Sequence, residues 1–326
     1  MTTMTHTEQL QHIVQAARLA PSVHNTQPWR FVEGDGSLEL HADTSRQVPV
    51  LDPTGRQLHL SCGAALYQAR VTARALGLDA AVELLPDSQQ STLLARLLLS
   101  QGAPPTVAEV ATATAILHRH TFRGTFGAIA VPAELVAALR ASAEAEGAVL
   151  DEVDRREDLL ELAVLLSHAD ASEEQDDAYR QELQTWLRAG PDAVDGLPHG
   201  ATAQSAPGST LRQRDFLLDR PTETNGSAPT ADRPVVLVLT TEGDDALAWL
   251  RAGQALAAVL LAAADADVQA QPLGQLTDSP AYRSQLRALL NLVGIPQLVL
   301  RMGSSTTAHA LTPRRDVTDV LVPLPH

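Results

Sequence analysis

The sequence predicts an α+β protein that contains two copies of one structural unit. Two alternating segments flank a Glu-Gly-Asp-Gly turn, and this pattern predicts an antiparallel hairpin over residues 29–41. Long helices rich in Ala and Leu are predicted at 57–76 and 245–264, and a short strand follows each of them. Both helices contain the pattern Gly-x-Ala-Leu, at Gly63 and at Gly253, so we interpret them as products of an internal duplication.

The other elements follow from apolar periodicity and from the residues that begin and end helices. Gly77 ends the helix 57–76, and Pro132 begins another helix in its first turn. The segment 92–99 is apolar enough to be a strand or a helix, and periodicity does not decide between them. In chain order, we predict a helix ending near residue 20, the hairpin, a helix at 57–76, a strand at 80–85, helices at 107–117 and 132–146, a strand at 148–153, a helix or helix pair at 157–187, a strand at 234–240, a helix at 245–264, a strand at 268–272, a turn over 271–278, a helix at 281–290 and a strand at 297–302.

Composition excludes several classes of function. The chain has 326 residues, and all 24 of its Lys and Arg residues are arginines. A pyridoxal Schiff base, a Walker A phosphate loop and a catalytic lysine are therefore excluded. The net charge of −15 disfavours nucleic acid as a partner. The single cysteine, Cys62, and the lack of an apolar leader or membrane segment predict a cytoplasmic protein without disulfides.

The segment 189–231 differs in composition from the rest of the chain. It is rich in Gly, Pro, Ser, Thr and Asp, and it is long for a connection inside a compact protein. We interpret it as a lid over a site or as a disordered insertion, and Phe216, Leu217 and Leu218 favour docking of its C-terminal part. His199 is the histidine in it that we expect to face a substrate.

The most specific motif lies at residues 21–31, between the first helix and the hairpin. Ser22, Asn25 and Gln27 place hydrogen-bonding groups two or three residues apart, which suits a ligand edge rich in amides and carbonyls. The alternative is an Asx or Ser turn followed by a tryptophan that anchors the core. The full string Pro-Ser-x-x-Asn-x-Gln-Pro-Trp-x-Phe resembles the signature of the flavin-dependent nitroreductase superfamily, where it lies along the isoalloxazine ring and ribityl chain of FMN.

A second motif, Arg119-His120-Thr121-x-Arg123, resembles the arginine-rich turn of the same superfamily. These flavoproteins are usually homodimers whose FMN sites take the two motifs from opposite subunits. In this chain each half keeps one motif, so the resemblance implies a pseudo-dimer, divided at 1–105 and 106–326, with one composite FMN site. It implies antiparallel-rich mixed sheets flanked by helices, and a monomer. Further strings, such as Thr312-Pro313-Arg314-Arg315, resemble the Acg-like branch found in actinobacteria.

The resemblance also assigns the candidate cofactor-binding residues. Arg314 and Arg315 are expected at the FMN phosphate, unless they are a solvated pair facing Asp316 and Asp319. The loop at 272–275 lies where the superfamily presents a backbone N–H to flavin N5, but it lacks the family's acidic residue and also fits an ordinary β-turn. The full set is Ser22, Asn25, Gln27, Arg119, His120, Thr121, Arg123, Pro272, Leu273, Gly274, Arg314 and Arg315.

No metal site and no catalytic side chain are expected. His118 and His120 form a His-x-His pair without a third ligand at suitable spacing, so flavin contact or packing is preferred. Flavin N5 would carry the chemistry.

Two functions compete. One is an FMN-dependent oxidoreductase that takes hydride from NAD(P)H and passes it to a nitro, quinone-like or conjugated acceptor. The other is an FMN-storing or sequestering protein with a lid and little turnover. A dehydrogenase acting on a peptide or natural-product intermediate would use the same flavin site. For each of these functions we expect a small-molecule acceptor or ligand and neither nucleic acid nor membrane as a partner.

Overall fold

The computed structural model describes residues 4–188, 190, 193–198, 211, 214, 216, 234–305 and 312–323. The helices are α1 (His6–Ala17), α2 (Arg56–Ala75), α3 (Val107–His118), α4 (Ala133–Ala145), α5 (Arg156–Gln175), α6 (Asp177–Trp186), α7 (Ala246–Asp265), α8 (Gln275–Asp278), α9 (Pro280–Leu289) and α10 (Val317–Val320). The strands are β1 (Trp29–Gly34), β2 (Ser37–Ala42), β3 (Leu78–Leu84), β4 (Leu93–Gln101), β5 (Val149–Glu152), β6 (Leu187–Arg188), β7 (Leu197–Pro198), β8 (Val235–Thr241), β9 (Gln269–Pro272), β10 (Ile295–Gly303) and β11 (Leu321–Val322).

Two larger sheets are present, which confirms the predicted α+β class. The first has the order β11-β1-β2-β4-β3, and the second has the order β5-β8-β10-β9. All neighbouring strands in them are antiparallel except β11, which runs parallel to β1. Strands β6 and β7 form a separate parallel pair.

Helices α2 and α7 cross at the two glycines that the repeat pattern had matched. A Cβ atom on Gly63 would lie 2.2 Å from the carbonyl oxygen of Leu250, and one on Gly253 would lie 2.1 Å from that of Leu60. The backbones of α2 and α7 are therefore in contact at both glycines, and a side chain at either position would prevent this contact. Helix α7 is long and apolar enough by composition to cross a membrane, but two-thirds of its apolar window is buried inside the protein.

Each of these helices contributes to both hydrophobic cores. The first core joins α1 and α2 to the first sheet and includes Leu250 of α7. The second joins α4 and α7 to the second sheet and includes Leu60 of α2. The crossing therefore connects the two parts of the molecule through shared packing.

Three segments resolve or correct the expectations from the sequence. Most of the segment 92–99 belongs to the strand β4, which begins at Leu93 and is paired on both sides, so the segment is a strand and not a helix. The segment 157–187 is a helix pair, because the Asp176 carboxylate accepts from the backbone N–H groups of Ala178 and Tyr179 and starts α6. The turn predicted at 271–278 was wrong in part, since the end of β9 and the one-turn helix α8 occupy it.

The C-terminal strand β11 was not predicted. Its two residues pair with β1, with Leu321 opposite Phe31 and Val322 opposite Val32. The end of the chain thus returns to the first sheet, across the predicted boundary at residue 105. A two-residue strand carries too little pattern to be recognised in a sequence.

Candidate functional site

A pocket lies between residues of the N-terminal part and residues of the C-terminal part of the chain. It encloses about 940 Å³, including the part open to solvent. Its apolar wall comes from α2, α7 and β10, with Leu60, Leu256, Leu260, Leu298 and Leu300. Its polar lining includes Ser22, His24, Gln57, Ser61, His120, Thr121, Arg123, Arg214 and Asp278.

The predicted motif at 21–31 forms a strained turn at one side of this pocket. His24, Asn25 and Gln27 have φ angles of 45°, 55° and 52°, in the left-handed region that non-glycine residues seldom adopt. The Ser22 hydroxyl accepts from the Gln27 backbone N–H at 3.0 Å and so closes the turn. Ser22 and His24 line the pocket.

Asn25 and Gln27 hold neighbouring segments in place and do not line the pocket. The Asn25 amide nitrogen donates to the carbonyl oxygens of Gly196 and Pro313, both at 3.0 Å. The Gln27 amide donates to the Val194 carbonyl oxygen at 2.9 Å, and its oxygen accepts from the Arg315 N–H at 2.9 Å. These two side chains therefore join the turn to segments 193–198 and 312–316. Their assignment to the cofactor stays a prediction.

The second predicted motif lies on another side of the pocket. Thr121 bridges to Ala270 in β9, and the Phe122 N–H donates to the Ala270 carbonyl oxygen at 2.9 Å. This attachment places His120, Thr121 and Arg123 in the lining. The motifs at 21–31 and 119–123 thus meet at one pocket.

Arg119, Arg123 and Arg314 form a group that we call the arginine cluster. Burial lowers the pKa of Arg119 to about 10, with added repulsion from Arg123, and burial lowers the pKa of Arg123 to about 10. Burial, together with repulsion from Arg119, Arg18 and Arg123, lowers the pKa of Arg314 to about 9. Three guanidinium groups therefore lie near one another, with Arg119 buried and Arg123 and Arg314 half-buried.

The arginine cluster has no anionic partner among the described residues. Arg119 and Arg314 both donate to the Leu19 carbonyl oxygen, at 3.1 and 3.3 Å. Nε of all three side chains and Nη1 of Arg119 are buried without a hydrogen-bond partner in the described part of the chain. Buried cations are normally paired, so this donor set fits an anionic group of a ligand.

Arg315 faces away from the cluster. Its Nη2 donates to the Asp319 carbonyl oxygen at 2.7 Å, and its Nη1 lies 3.9 Å from Asp43 Oδ2. The pair predicted at the phosphate is therefore divided: Arg314 joins the cluster, and Arg315 contacts Asp319 and Asp43.

The loop at 272–274 is an extension of β9 at the rim of the pocket. Pro272 and Gly274 line the pocket, whereas Leu273 is fully buried and its N–H donates to the Val299 carbonyl oxygen at 2.8 Å. Helix α8 begins directly after Gly274. A contact between this loop and flavin N5 stays a prediction.

A buried ion cluster lies beside the pocket. Arg214 Nη2 donates to Glu173 Oε1 at 2.6 Å and to Asp278 Oδ2 at 2.8 Å. Asp278 also accepts from Arg56 Nη2 at 3.2 Å. Burial raises the pKa of Glu173 to about 7, although Arg214 opposes this shift. Three residues of the predicted lid segment, Leu197, Arg214 and Phe216, line the pocket; His199, Leu217 and Leu218 lie outside the described residues.

Comparison with known proteins decides the family. A sequence model described as "Nitroreductase family" matches residues 2–47. The Mycobacterium tuberculosis protein named "Putative NAD(P)H nitroreductase Rv3131" is 35% identical over 96% of this chain and 91% of its own length. The chain belongs to the nitroreductase family. A second M. tuberculosis relative, "Putative NAD(P)H nitroreductase acg", is 32% identical over 98% of this chain and 96% of its own length.

The fold of this member of the nitroreductase family is also found in a solved structure. A chain from Anabaena variabilis described as "a putative nitroreductase" covers 93% of this chain and 90% of its own length, with a TM-score of 0.50 and 10% identity. The resemblance stated from the two sequence motifs, including the Acg-like branch, is thereby confirmed.

Sequence reasoning missed the residues that act through the ion cluster. His24 occupies one of the positions at which the nitroreductase motif allows any residue. Only its location between the motif residues Ser22 and Asn25 could have indicated it. Glu173 lies on α5, which carries several other acidic residues, so nothing in the sequence singles it out. Arg214 belongs to a segment without regular periodicity, and its only signal is the string Arg214-Asp215-Phe216, which resembles the pattern of the Acg-like branch.

Proposed function

We propose that this nitroreductase binds FMN in one composite site between its two halves and transfers hydride from NAD(P)H to a nitro, quinone-like or conjugated acceptor. The observation that carries the proposal is the arginine cluster, a set of buried or half-buried cations that has no acidic partner among the described residues and lies beside a pocket that both motifs line. The names of the M. tuberculosis relatives support NAD(P)H as reductant.

Different residues of the chain would bind different parts of FMN in the proposed site. Arg119, Arg123 and Arg314 would hold the FMN phosphate and part of its ribityl chain, because their unpaired N–H groups are suitable donors. The leucine wall from α2, α7 and β10 would exclude water from the ring. When bound, FMN would supply an N5 atom that accepts and donates hydride. The part of the protein is positioning and electrostatics.

A fused pseudo-dimer is supported by the crossing of α2 and α7. Gly63 and Gly253 have reciprocal environments, and each helix reaches into the core of the other part. We propose that this crossing corresponds to the subunit contact of a dimer, so that one chain acts as a monomer. Sedimentation at several concentrations tests this, and a concentration-independent dimer would contradict it.

Storage of FMN is the second candidate function. Leu197, Arg214 and Phe216 line the pocket, and Arg214 is held there by two carboxylates. A segment anchored in this way would limit access of acceptors to the flavin and slow turnover.

An absorption spectrum, followed by anaerobic addition of NADPH and NADH, separates the two functions. A spectrum with about one FMN per chain that bleaches promptly supports the oxidoreductase. One FMN that stays oxidised supports storage. Failure to bind FMN even after reconstitution would refute both.

A further inference from the structure

His24 is a buried side chain in the wall of the pocket. Its side chain lines the pocket, and the residue is only 6% exposed. Its backbone has φ 45° and ψ 23°, a conformation that costs free energy in a residue other than glycine. The Asn25 N–H, which donates to the Ser22 carbonyl oxygen at 3.0 Å, helps to hold this conformation. Strain of this kind at a pocket is a reason to ask what the side chain does there.

Contact with Arg214 determines which imidazole nitrogen carries the hydrogen. Arg214 Nη1 lies 3.5 Å from His24 Nε2. A guanidinium group can only donate, so Nε2 must act as the acceptor. Burial, with help from the charges of Arg214 and Arg123, lowers the pKa of His24 to about 3, so the ring is neutral near pH 7. A neutral ring that accepts at Nε2 carries its hydrogen on Nδ1.

The Nδ1–H group is a donor whose acceptor is not among the described residues. Nδ1 is buried and has no hydrogen-bond partner among the described residues. Leaving such a group unpaired costs roughly 1–3 kcal/mol. The charged neighbours Arg123 and Arg214 offer only further donors. The carboxylate in the pocket lining, Asp278, already accepts from Arg56 and Arg214. A ligand oxygen would therefore complete this part of the wall.

We propose that His24 Nδ1–H donates a hydrogen bond to an oxygen of a planar conjugated ligand in the pocket, and that Arg214 sets the tautomer needed for it. This rests on the proposed function. The oxygen belongs to a carbonyl or nitro group, either on the acceptor or on the flavin ring. Such oxygens gain negative charge when the ligand is reduced, and a neutral, fixed donor stabilises that charge without giving up its proton.

Arg214 acts here as a positioning residue. Glu173 and Asp278 hold its Nη2 at 2.6 and 2.8 Å, and its Nη1 reaches His24. Phe216 also contacts the imidazole, with ring centroids 5.9 Å apart in an edge-to-face arrangement. The imidazole is therefore oriented by one charged contact and one aromatic contact before a ligand enters.

The test compares His24→Asn with His24→Gly. Asn and Gly both tolerate the left-handed backbone, but only Asn keeps an N–H donor. The control is His12→Asn, at an exposed position of α1. We expect His24→Gly to weaken binding of one ligand by about 3- to 10-fold, as loss of a neutral hydrogen bond does, and His24→Asn to restore most of it. A raised dissociation constant for FMN would show that the bond is made to the flavin oxygen. An unchanged dissociation constant for FMN, together with a raised KM for menadione, would show that it is made to the acceptor oxygen.

Nitrogen-15 NMR of histidine-labelled protein provides a readout besides activity. The His24 signals, assigned by their loss in His24→Asn, should show hydrogen on Nδ1 in the ligand-free protein. They should shift when FMN is added, or when menadione is added to the FMN-bound protein without reductant. Hydrogen on Nε2, equal losses in the Asn and Gly variants, or no loss in either ligand's binding would overturn the proposal.

Failure of the proposed function is distinguishable from failure of this inference. If the wild-type protein binds no FMN, the proposed function is refuted. Menadione added alone then decides the role of His24: a shift of its Nδ1 signal supports the donor, and an unchanged signal overturns it.

Discussion

Replacing Arg123 with methionine should stabilise the ligand-free protein and weaken FMN binding at the same time. Burial lowers the pKa of Arg123 from its ordinary value to about 10, and this shift corresponds to an unfavourable free energy on the order of 3 kcal/mol for holding the charge there. No hydrogen bond or ion pair from Arg123 to another described residue offsets that cost. Methionine removes the charge and keeps an apolar side chain beside Phe216.

The gain in stability is smaller than this electrostatic cost. The guanidinium carbon of Arg123 lies 5.8 Å from the centre of the Phe216 ring, a contact worth about 0.5–1 kcal/mol that methionine loses. We therefore expect the free energy of unfolding to rise by about 2 kcal/mol in Arg123→Met. If Arg123 binds the FMN phosphate or ribityl chain, loss of a charge-assisted hydrogen bond should weaken the affinity by about 10- to 100-fold.

Urea unfolding of the ligand-free protein and titration of FMN fluorescence measure the two effects. Arg30→Met is the matched control, since Arg30 is exposed on β1 and the variant changes the net charge by the same amount. The control should alter neither quantity by more than about 0.5 kcal/mol. A ligand-free Arg123→Met protein less stable than wild type, or one with unchanged FMN affinity, would refute the assignment of a buried anion site.

Three further predictions concern the parts that hold the site together. Asn25→Ala should lower the free energy of unfolding by about 2 kcal/mol, because two carbonyl oxygens lose their donor; an unchanged urea midpoint would contradict this. Gly63→Ala should cost more than about 3 kcal/mol or prevent folding, since its Cβ would meet the Leu250 carbonyl oxygen at 2.2 Å, whereas Gly190→Ala, whose Cβ would meet no described atom within 4 Å, should be neutral. The pKa of Glu173 is about 7 in the folded protein, against an ordinary value of 4.5. Between pH 4.5 and pH 7 the folded state therefore keeps a proton on Glu173 that the unfolded state has lost. Its contribution to stability is therefore present below about pH 4.5 and is lost as the pH rises through 7, and Glu173→Gln should flatten this part of the stability profile; an unaltered slope would argue against a buried, protonated carboxyl group.

Elements with their own periodicity or caps were predictable from the sequence, and elements defined by distant partners were not. Helix α2 was expected at 57–76 and is found at Arg56–Ala75, because its apolar face and Gly77 are local signals. Strand β4 could not be distinguished from a helix, since only pairing with β2 and β3 on both sides makes its apolar run a strand. Strand β11 depends entirely on β1, which lies almost 300 residues away in the chain.

The site shows the same division. Each of the two motifs, at 21–31 and at 119–123, correctly indicated one side of the pocket. A motif does not show, however, which of its residues face a ligand. Arg314 and Arg315 are adjacent in sequence but face different surroundings, and this follows from the return of the chain at 312–316 past Leu19 and Asp43. The partners of Arg214 come from α5 and α8, so no local pattern could have indicated the ion cluster.

The placement of Asn25 and Gln27 changes the interpretation of the motif itself. Their amide groups bind the backbones of segments 193–198 and 312–316, and these bonds hold a turn with three left-handed residues. That turn is what brings Ser22 and His24 to the pocket. Loss of FMN affinity in an Asn25 variant would therefore arise through the geometry of the turn, and it should be accompanied by loss of stability. Loss of FMN affinity in Arg123→Met should be accompanied by a gain in the stability of the ligand-free protein. The two variants thus separate residues that build the site from residues that bind in it.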